Sequence, residues 1–199
     1  MDSKPVIYVS RVTNLSDARY CAGMGVHMIG VVVDPAHPDY VSPQKYQEMI
    51  GWISGPQRVA EILSIEQVNT DEIIRQYAID FLHVPLAALS LTRSTSIPLL
   101  VEVSWEEYEK GVPQLYRNEL NVAYLIVRGV PAEVGLKFPA APTVLVSLKD
   151  IPASYMRVLE ATGASGLLLQ GSKELAPGLK DYDHLSAALE QMESNDLIP

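Results

Sequence analysis

The stretch that decides the fold is Val6-Ile7-Tyr8-Val9-Ser10, followed by Asn14-Leu15-Ser16-Asp17-Ala18 and then by Met28-Ile29-Gly30-Val31-Val32-Val33. The first and last pieces are short and continuously apolar, which is typical of strands buried on both faces of a parallel sheet. Between them, Asn14 can cap a helix whose apolar residues recur at helical spacing as far as Gly23. This order predicts a strand–helix–strand unit with parallel strands.

The same alternation continues along the chain. Further short apolar runs occupy residues 58–63, 80–84, 99–103, 123–127, 143–146 and 167–170. Eight runs leave about 25 residues per strand–helix unit, which favours one (β/α)₈ TIM-type barrel over residues 1–199. A doubly wound open sheet is the alternative. Residues 85–97 and 129–141 contain proline and glycine without clear helical periodicity, so we expect one or two helices to be shortened or missing.

Composition narrows the function classes. Hydrophobic residues make up 48% of the 199 residues, which indicates a globular chain. The formal charge of −9 argues against binding to nucleic acid or to an anionic membrane. Cys21 is the only cysteine and the four histidines are scattered, so neither a metal site nor a cofactor is predicted.

The sequence also suggests where the protein acts and whether it self-associates. No apolar run approaches the ~20 residues of a membrane span, and the first residues lack the apolar region of a signal peptide. We therefore expect a cytoplasmic protein. A shortened helix would expose apolar barrel surface, which suggests a homodimer.

Four segments carry a resemblance to a known family, at residues 7–18, 25–33, 34–43 and 176–181. They resemble the patterns K-I-C-G-I-T-N-x-x-D-A, G-A-D-x-x-G-F-V-F, S-P-R-Y-V-S-P and P-G-x-K-D of phosphoribosylanthranilate isomerase. That family catalyses the Amadori rearrangement of tryptophan biosynthesis on a phosphorylated ribosylamine of anthranilate. The resemblance implies a (β/α)₈ barrel with a cysteine base after strand one and an aspartate acid after strand six. It also implies an arginine for the substrate carboxylate and glycine-rich turns for the phosphate.

The catalytic positions implied by the resemblance carry other residues. The cysteine base falls on Ser10, whose hydroxyl is a far weaker base than a thiolate, and the glycine after it falls on Arg11. The aspartate acid falls on Arg128 or, with a one-residue slip, on Val127, and neither side chain can donate a proton at neutral pH. The substrate-binding arginine falls on Asp39, which would repel a carboxylate. An arginine thus stands where the family has an aspartate and an aspartate where it has an arginine, which makes an Asp39–Arg128 pair conceivable.

The remaining site positions match only in part. His83 falls near the glutamine of the family's Q-L-H-G, at the strand end where barrel sites lie, and is a candidate substrate-binding residue. The family's G-G after strand seven becomes Ser147-Leu148, and Gln170-Gly171-Ser172 partly matches its S-S-G turn. We therefore predict a phosphate site at Ser147, Gly171 and Ser172, where glycine lets backbone N–H groups approach an anion.

Two functional hypotheses follow. In the first, the barrel has lost the family's acid–base chemistry, in which each group contributes typically ~10²–10⁴-fold. It would then bind a small phosphorylated or acidic ligand, or act as a non-catalytic partner protein. In the alternative it remains an active aldose–ketose isomerase with recruited residues. His83 and Glu102 would then carry protons, and Arg11 or Arg128 would hold anionic groups. Whether the protein is an enzyme stays open at this point.

Overall fold

The computed structural model describes residues 4–64, 69–92, 95–111, 121–131, 133, 135–171, 173–176, 179–181 and 183–194. Eight parallel strands form a closed barrel in chain order, which confirms the predicted fold and shows that the open-sheet alternative is wrong. The strands are β1 Val6–Ser10, β2 Met28–Val32, β3 Gln57–Glu61, β4 Phe81–Pro85, β5 Leu99–Ser104, β6 Val122–Val130, β7 Thr143–Leu148 and β8 Gly166–Gln170.

Helices follow most of the strands. They are α1 Leu15–Gly23, α2 Pro43–Ile50, α3 Thr70–Tyr77, α4 Trp105–Lys110, α5 Tyr155–Thr162 and α6 Asp183–Ser194. Asn14 caps α1 as predicted, because its side chain accepts a hydrogen bond from the Asp17 N–H at 2.9 Å. None of the helices in the described part of the chain is long and apolar enough to cross a membrane.

The expected shortening of helices is also found. A 3₁₀ helix, Leu86–Thr92, follows β4 in place of an α-helix. Between β6 and β7, the described residues 131, 133 and 135–142 contain no helix. A short antiparallel pair that the sequence did not predict, β9 Lys173–Ala176 and β10 Leu179–Asp181, precedes α6. The homodimer that this shortening suggested stays a prediction.

The barrel encloses its own apolar layer, separate from the core between strands and helices. This layer consists of Tyr8, Met28, Val59, Phe81, Leu100, Ile126, Leu145 and Leu168, one residue from each strand. Side chains on a strand alternate between its two faces, so the residue two positions further on points inward again. That next layer lies at the carboxyl ends of the strands, where barrel proteins place their functional groups.

Candidate functional site at the barrel mouth

The inward-facing layer at the carboxyl ends of the strands is largely polar. We call it the mouth layer, and it consists of Ser10, Gly30, Glu61, His83, Glu102, Arg128, Ser147 and Gln170. Glu61 and His83 are register partners on β3 and β4, and Arg128 and Ser147 are register partners on β6 and β7. The fold therefore gathers side chains from eight distant segments into one ring.

Tyr8 and Glu61 form the base of this site. Tyr8 is fully buried, and its hydroxyl donates a hydrogen bond of 2.5 Å to Glu61 Oε1. The Arg11 backbone N–H donates to the same oxygen at 3.1 Å. Burial and the adjacent Glu61 carboxylate raise the pKa of Tyr8 well above its usual value, so Tyr8 stays protonated as a donor. A Cβ on Gly30 would overlap both groups, so glycine at that position provides their space.

His83 continues the polar chain across the barrel. It is fully buried, with Nδ1 at 3.1 Å from the Tyr8 hydroxyl and Nε2 at 3.3 Å from Glu102 Oε2. Because Tyr8 gives its one hydroxyl proton to Glu61, Nδ1–H must donate to the tyrosine oxygen. Nε2 has no hydrogen-bond partner, since the Glu102 oxygen is near but not aligned for a bond.

Glu102 and Arg128 close the chain at the mouth. Arg128 Nη2 donates to Glu102 Oε2 at 2.5 Å, and the two side chains are 29% and 18% exposed. Burial raises the pKa of Glu102, but the nearby His83 and Arg128 outweigh burial and lower it to about 2. Burial lowers the pKa of Arg128, but the hydrogen bond and charge of Glu102 prevail and raise it. Both groups are charged at neutral pH.

This geometry corrects one expectation. The conceivable Asp39–Arg128 pair does not form, because Arg128 pairs with Glu102 instead. Asp39 Oδ2 lies 4.0 Å from Arg11 Nη1, and the Asp39 N–H donates to His37 Nδ1 at 3.0 Å. Arg128 is also a residue within β6, which runs to Val130, where the sequence had predicted a strand ending at residue 127. The longer strand directs the guanidinium into the barrel.

Arg11 occupies a backbone conformation that suits glycine. Its φ is +56°, in the left-handed region that L-residues rarely adopt. The resemblance implies glycine at this position, and the backbone here has a conformation that glycine favours. That shape points the Arg11 N–H at Glu61 and places its side chain beside Asp39 at the rim.

Two of the predicted phosphate-binding residues, Ser147 and Gly171, lie on β7 and directly after β8. Ser147 belongs to the mouth layer, whereas Ser172 lies outside the described residues. The Gly171 N–H donates to the Ser10 carbonyl at 2.7 Å, so this N–H is already engaged. A Cβ on Gly171 would come within 2.9 Å of the Arg11 carbonyl oxygen, so glycine serves the close approach of two turns. Phosphate binding there stays a prediction.

A cavity of about 210 Å³ opens beside these residues. Its polar lining includes Ser147, Lys149 and Gln170, and its apolar lining includes Leu185 of α6. Lys149 supplies a cation to the lining, although Asp150 lies next to it. This place can hold a small group that is partly anionic.

Ser10 stands at the position that the resemblance assigns to the base. It is fully buried, and its Oγ has no hydrogen-bond partner. A serine hydroxyl needs an adjacent base before it can remove a proton, and Ser10 Oγ is hydrogen-bonded to none in the described part of the chain. Among the residues described, no group of three or more His, Cys, Asp or Glu side chains is arranged to hold a metal ion.

Sequence reasoning found part of this site. It identified Ser10, Arg11, Asp39, His83, Arg128 and Ser147, and the structure brings Ser10, His83, Arg128 and Ser147 into the mouth layer. It named Glu102 only as a recruited proton carrier, and it missed Glu61. The available signal was a single carboxylate two positions after Val59 within an apolar run, since that spacing places both on the inner face.

Comparison with known proteins supports the fold. No protein-family model and no curated protein matches the sequence. Among solved structures, TrpF from Jonesia denitrificans is similar with a TM-score of 0.72 at 15% identity, over 95% of this chain and 97% of that one. Phosphoribosyl anthranilate isomerase in complex with reduced 1-(O-carboxyphenylamino)-1-deoxyribulose 5-phosphate gives 0.71 at 14% identity, over 96% and 99%. The enzyme from Thermus thermophilus gives 0.69 at 16%, over 95% and 98%. The resemblance is thereby confirmed at the level of the fold.

Proposed function

We propose that this protein binds a small phosphorylated ligand at the barrel mouth and lacks the acid–base chemistry of phosphoribosylanthranilate isomerase. The observation that carries the proposal is the Glu102–Arg128 ion pair. Arg128 stands at the position where the resemblance implies the general acid, and its guanidinium is bonded to Glu102 at 2.5 Å. A guanidinium stays protonated, so it cannot exchange the proton that the rearrangement needs.

The base side of the site supports the same conclusion. Ser10 is buried, and its hydroxyl contacts no group that could take its proton. Acid–base catalysis needs both a donor and an acceptor of suitable pKa near the reacting atoms. With both positions changed, an Amadori rearrangement by that route has neither its base nor its acid.

The phosphate part of the proposal rests on the β7–β8 side of the mouth. The lining of the cavity there is mostly apolar, but it includes Ser147, Lys149 and Gln170, a hydroxyl, a cation and an amide that can all donate hydrogen bonds. A structurally similar isomerase was solved with a ligand that carries a 5-phosphate, which makes phosphate the first group to test. Asp39 at the expected carboxylate-binding position argues against an anthranilate-like acid as the other end of the ligand.

The alternative, an isomerase that uses His83 and Glu102, has one observation in its favour. These two side chains lie 3.3 Å apart, close enough to share a proton. Against it, His83 is fully buried with Nδ1 facing Tyr8 and Nε2 facing Glu102, so the ring offers a substrate no free edge. We therefore favour binding without rearrangement.

Two measurements test the proposal. Purified protein incubated with phosphoribosyl anthranilate should show no turnover above the uncatalysed rate. Inorganic phosphate should raise Tm by several degrees at about 100 times its Kd, because ligand binding then adds about 2.7 kcal/mol of stability. Lys149→Met should reduce that shift, whereas Lys45→Met, at an exposed lysine on α2, should not.

Three outcomes would contradict parts of this proposal. Turnover by the wild type that survives Ser10→Ala but is lost in His83→Gln would favour the recruited-residue alternative over our proposal. A Tm that does not respond to phosphate would overturn the phosphate site. A phosphate response that Lys149→Met leaves unchanged would show that the anion binds elsewhere than in the β7–β8 cavity.

A further inference from the structure

The carboxylate of Glu61 is fully buried, yet only one of its oxygens has a partner. Oε1 accepts hydrogen bonds from the Tyr8 hydroxyl and the Arg11 N–H. Oε2 is buried without any hydrogen-bond partner. Native structures satisfy nearly all such groups, because an unpaired buried polar atom costs about 1–3 kcal/mol and more when it is charged. Oε2 is therefore suited to a donor that a ligand supplies.

Two more residues beside Glu61 at the mouth have a buried atom without a hydrogen-bond partner. They are Ser10, through Oγ, and Arg11, through the donor Nε. Glu61 and His83 are register partners on adjacent strands, so their side chains point inward side by side. The His83 ring is occupied, because Nδ1 faces the Tyr8 hydroxyl and Nε2 lies 3.3 Å from Glu102 Oε2. Of these residues, Glu61 and Ser10 therefore provide the unpartnered acceptor oxygens.

The charges at the mouth favour a cationic donor. The carboxylates here are Asp34, Asp39, Glu61 and Glu102, against the guanidinium groups of Arg11 and Arg128. Glu102 is compensated by Arg128 at 2.5 Å, and Asp39 faces Arg11 at 4.0 Å. In the described part of the chain, no cationic side chain lies within ion-pair distance of Glu61. A buried carboxylate is stable only when its charge is compensated or its hydrogen bonds are complete.

We propose that Glu61 binds a primary ammonium group of the ligand through Oε2. A primary ammonium carries one positive charge and N–H donors, which match a buried carboxylate that has no cationic side chain beside it in the described part of the chain and one oxygen without a hydrogen bond. The proposal deepens the proposed function, on which its phosphate end rests. The ligand becomes a small phosphorylated amine, with its ammonium at β3–β4 and its phosphate at the β7–β8 cavity.

The test uses separate probes for the two ends of this ligand. Wild-type protein is titrated with ethylammonium chloride while two-dimensional NMR follows the Arg11 amide, whose N–H is bonded to Glu61. A saturable shift is expected. Tetramethylammonium chloride, a cation of equal charge without N–H donors, should give none. This comparison needs no variant, so it holds even if a substitution at the buried Glu61 prevents folding.

Two variants test whether ethylammonium binding depends on the Glu61 carboxylate. Glu61→Gln should weaken ethylammonium binding at least tenfold, because a charge-assisted hydrogen bond is lost. Glu109→Gln removes an exposed carboxylate from α4 and should leave binding unchanged. The inference is overturned if ethylammonium gives no saturable shift, if tetramethylammonium acts equally, or if Glu61→Gln binds like the wild type. Inorganic phosphate on the same sample reports on the proposed function alone, so the two can fail independently.

Discussion

Replacing Glu102 by glutamine should remove a defined part of the acid sensitivity of this protein. The carboxylate is 18% exposed and bonded to Arg128, and its pKa is lowered from 4.5 to about 2. A group with a lower pKa in the folded state binds protons more weakly there than in the unfolded chain. Its contribution to stability is therefore complete above about pH 4.5 and is lost as the pH falls toward about 2.

The magnitude follows from the shift. A difference of 4.5 − 2 = 2.5 pKa units corresponds to about 3 kcal/mol of unfolding free energy over the whole range. About 2 kcal/mol of this is lost by about pH 3. Glu102→Gln cannot take up that proton, so between about pH 6 and pH 3 its free energy of unfolding should fall by about 2 kcal/mol less than that of the wild type.

Urea unfolding followed by circular dichroism at the two pH values measures this double difference. Other carboxylates titrate in both proteins, and their effect cancels in the comparison. Glu109→Gln, which changes an exposed carboxylate on α4, should follow the wild type. If Glu102→Gln and the wild type lose stability equally with acid, within about 0.5 kcal/mol, the carboxylate does not have its lowered pKa and the ion pair is wrong.

Three further substitutions test the local geometry through Tm. Gly171→Ala should destabilise the fold by about 1–3 kcal/mol, because the added Cβ would lie 2.9 Å from the Arg11 carbonyl oxygen and 3.1 Å from that of Ser10. An unchanged Tm would refute this close approach. Arg11→Gly should raise Tm by a few degrees, since it relieves about 1–2 kcal/mol of backbone strain at a φ of +56°. The ion pair that it removes is weak and partly exposed, and a lower Tm would contradict the strain. Tyr77→Phe should cost about 1–2 kcal/mol, as it leaves the buried Val41 carbonyl without its 2.8 Å donor, and equal stability would show that this bond contributes nothing.

The fold was predictable because its signals are local. Short runs of valine, isoleucine and leucine mark buried parallel strands wherever they occur, and caps such as Asn14 mark where helices begin. Even the shortened helices could be predicted, since residues 85–97 and 129–141 lack clear helical periodicity and the second segment contains two prolines and two glycines. Strand ends were less certain, and β6 runs three residues further than the apolar pattern indicates.

The site was only partly predictable because its contacts join strands that are distant in sequence. Tyr8 and Glu61 are 53 positions apart, and Arg128 and Glu102 are 26 apart. No residue near position 61 in the sequence indicates that a tyrosine of β1 and a backbone N–H just after that strand will donate hydrogen bonds to its carboxylate. The pairing of Arg128 likewise depended on whether β6 ends before or after that residue. The resemblance pointed to Ser10 and Arg128, but only the closed barrel shows what surrounds them.

These contacts explain why the residues of the mouth layer occur together. Arg128 points into the barrel, where its charge must be compensated, and Glu102 does this at 2.5 Å. Glu102 in turn lies beside His83, which rests on Tyr8 and so on Glu61. Removing one member of this half-buried ion pair leaves the charge of the other uncompensated, which destabilises the fold. Aspartate at position 128 would place a carboxylate beside Glu102 in place of its cation. The side chains at the mouth therefore depend on one another for their charge balance and hydrogen bonds.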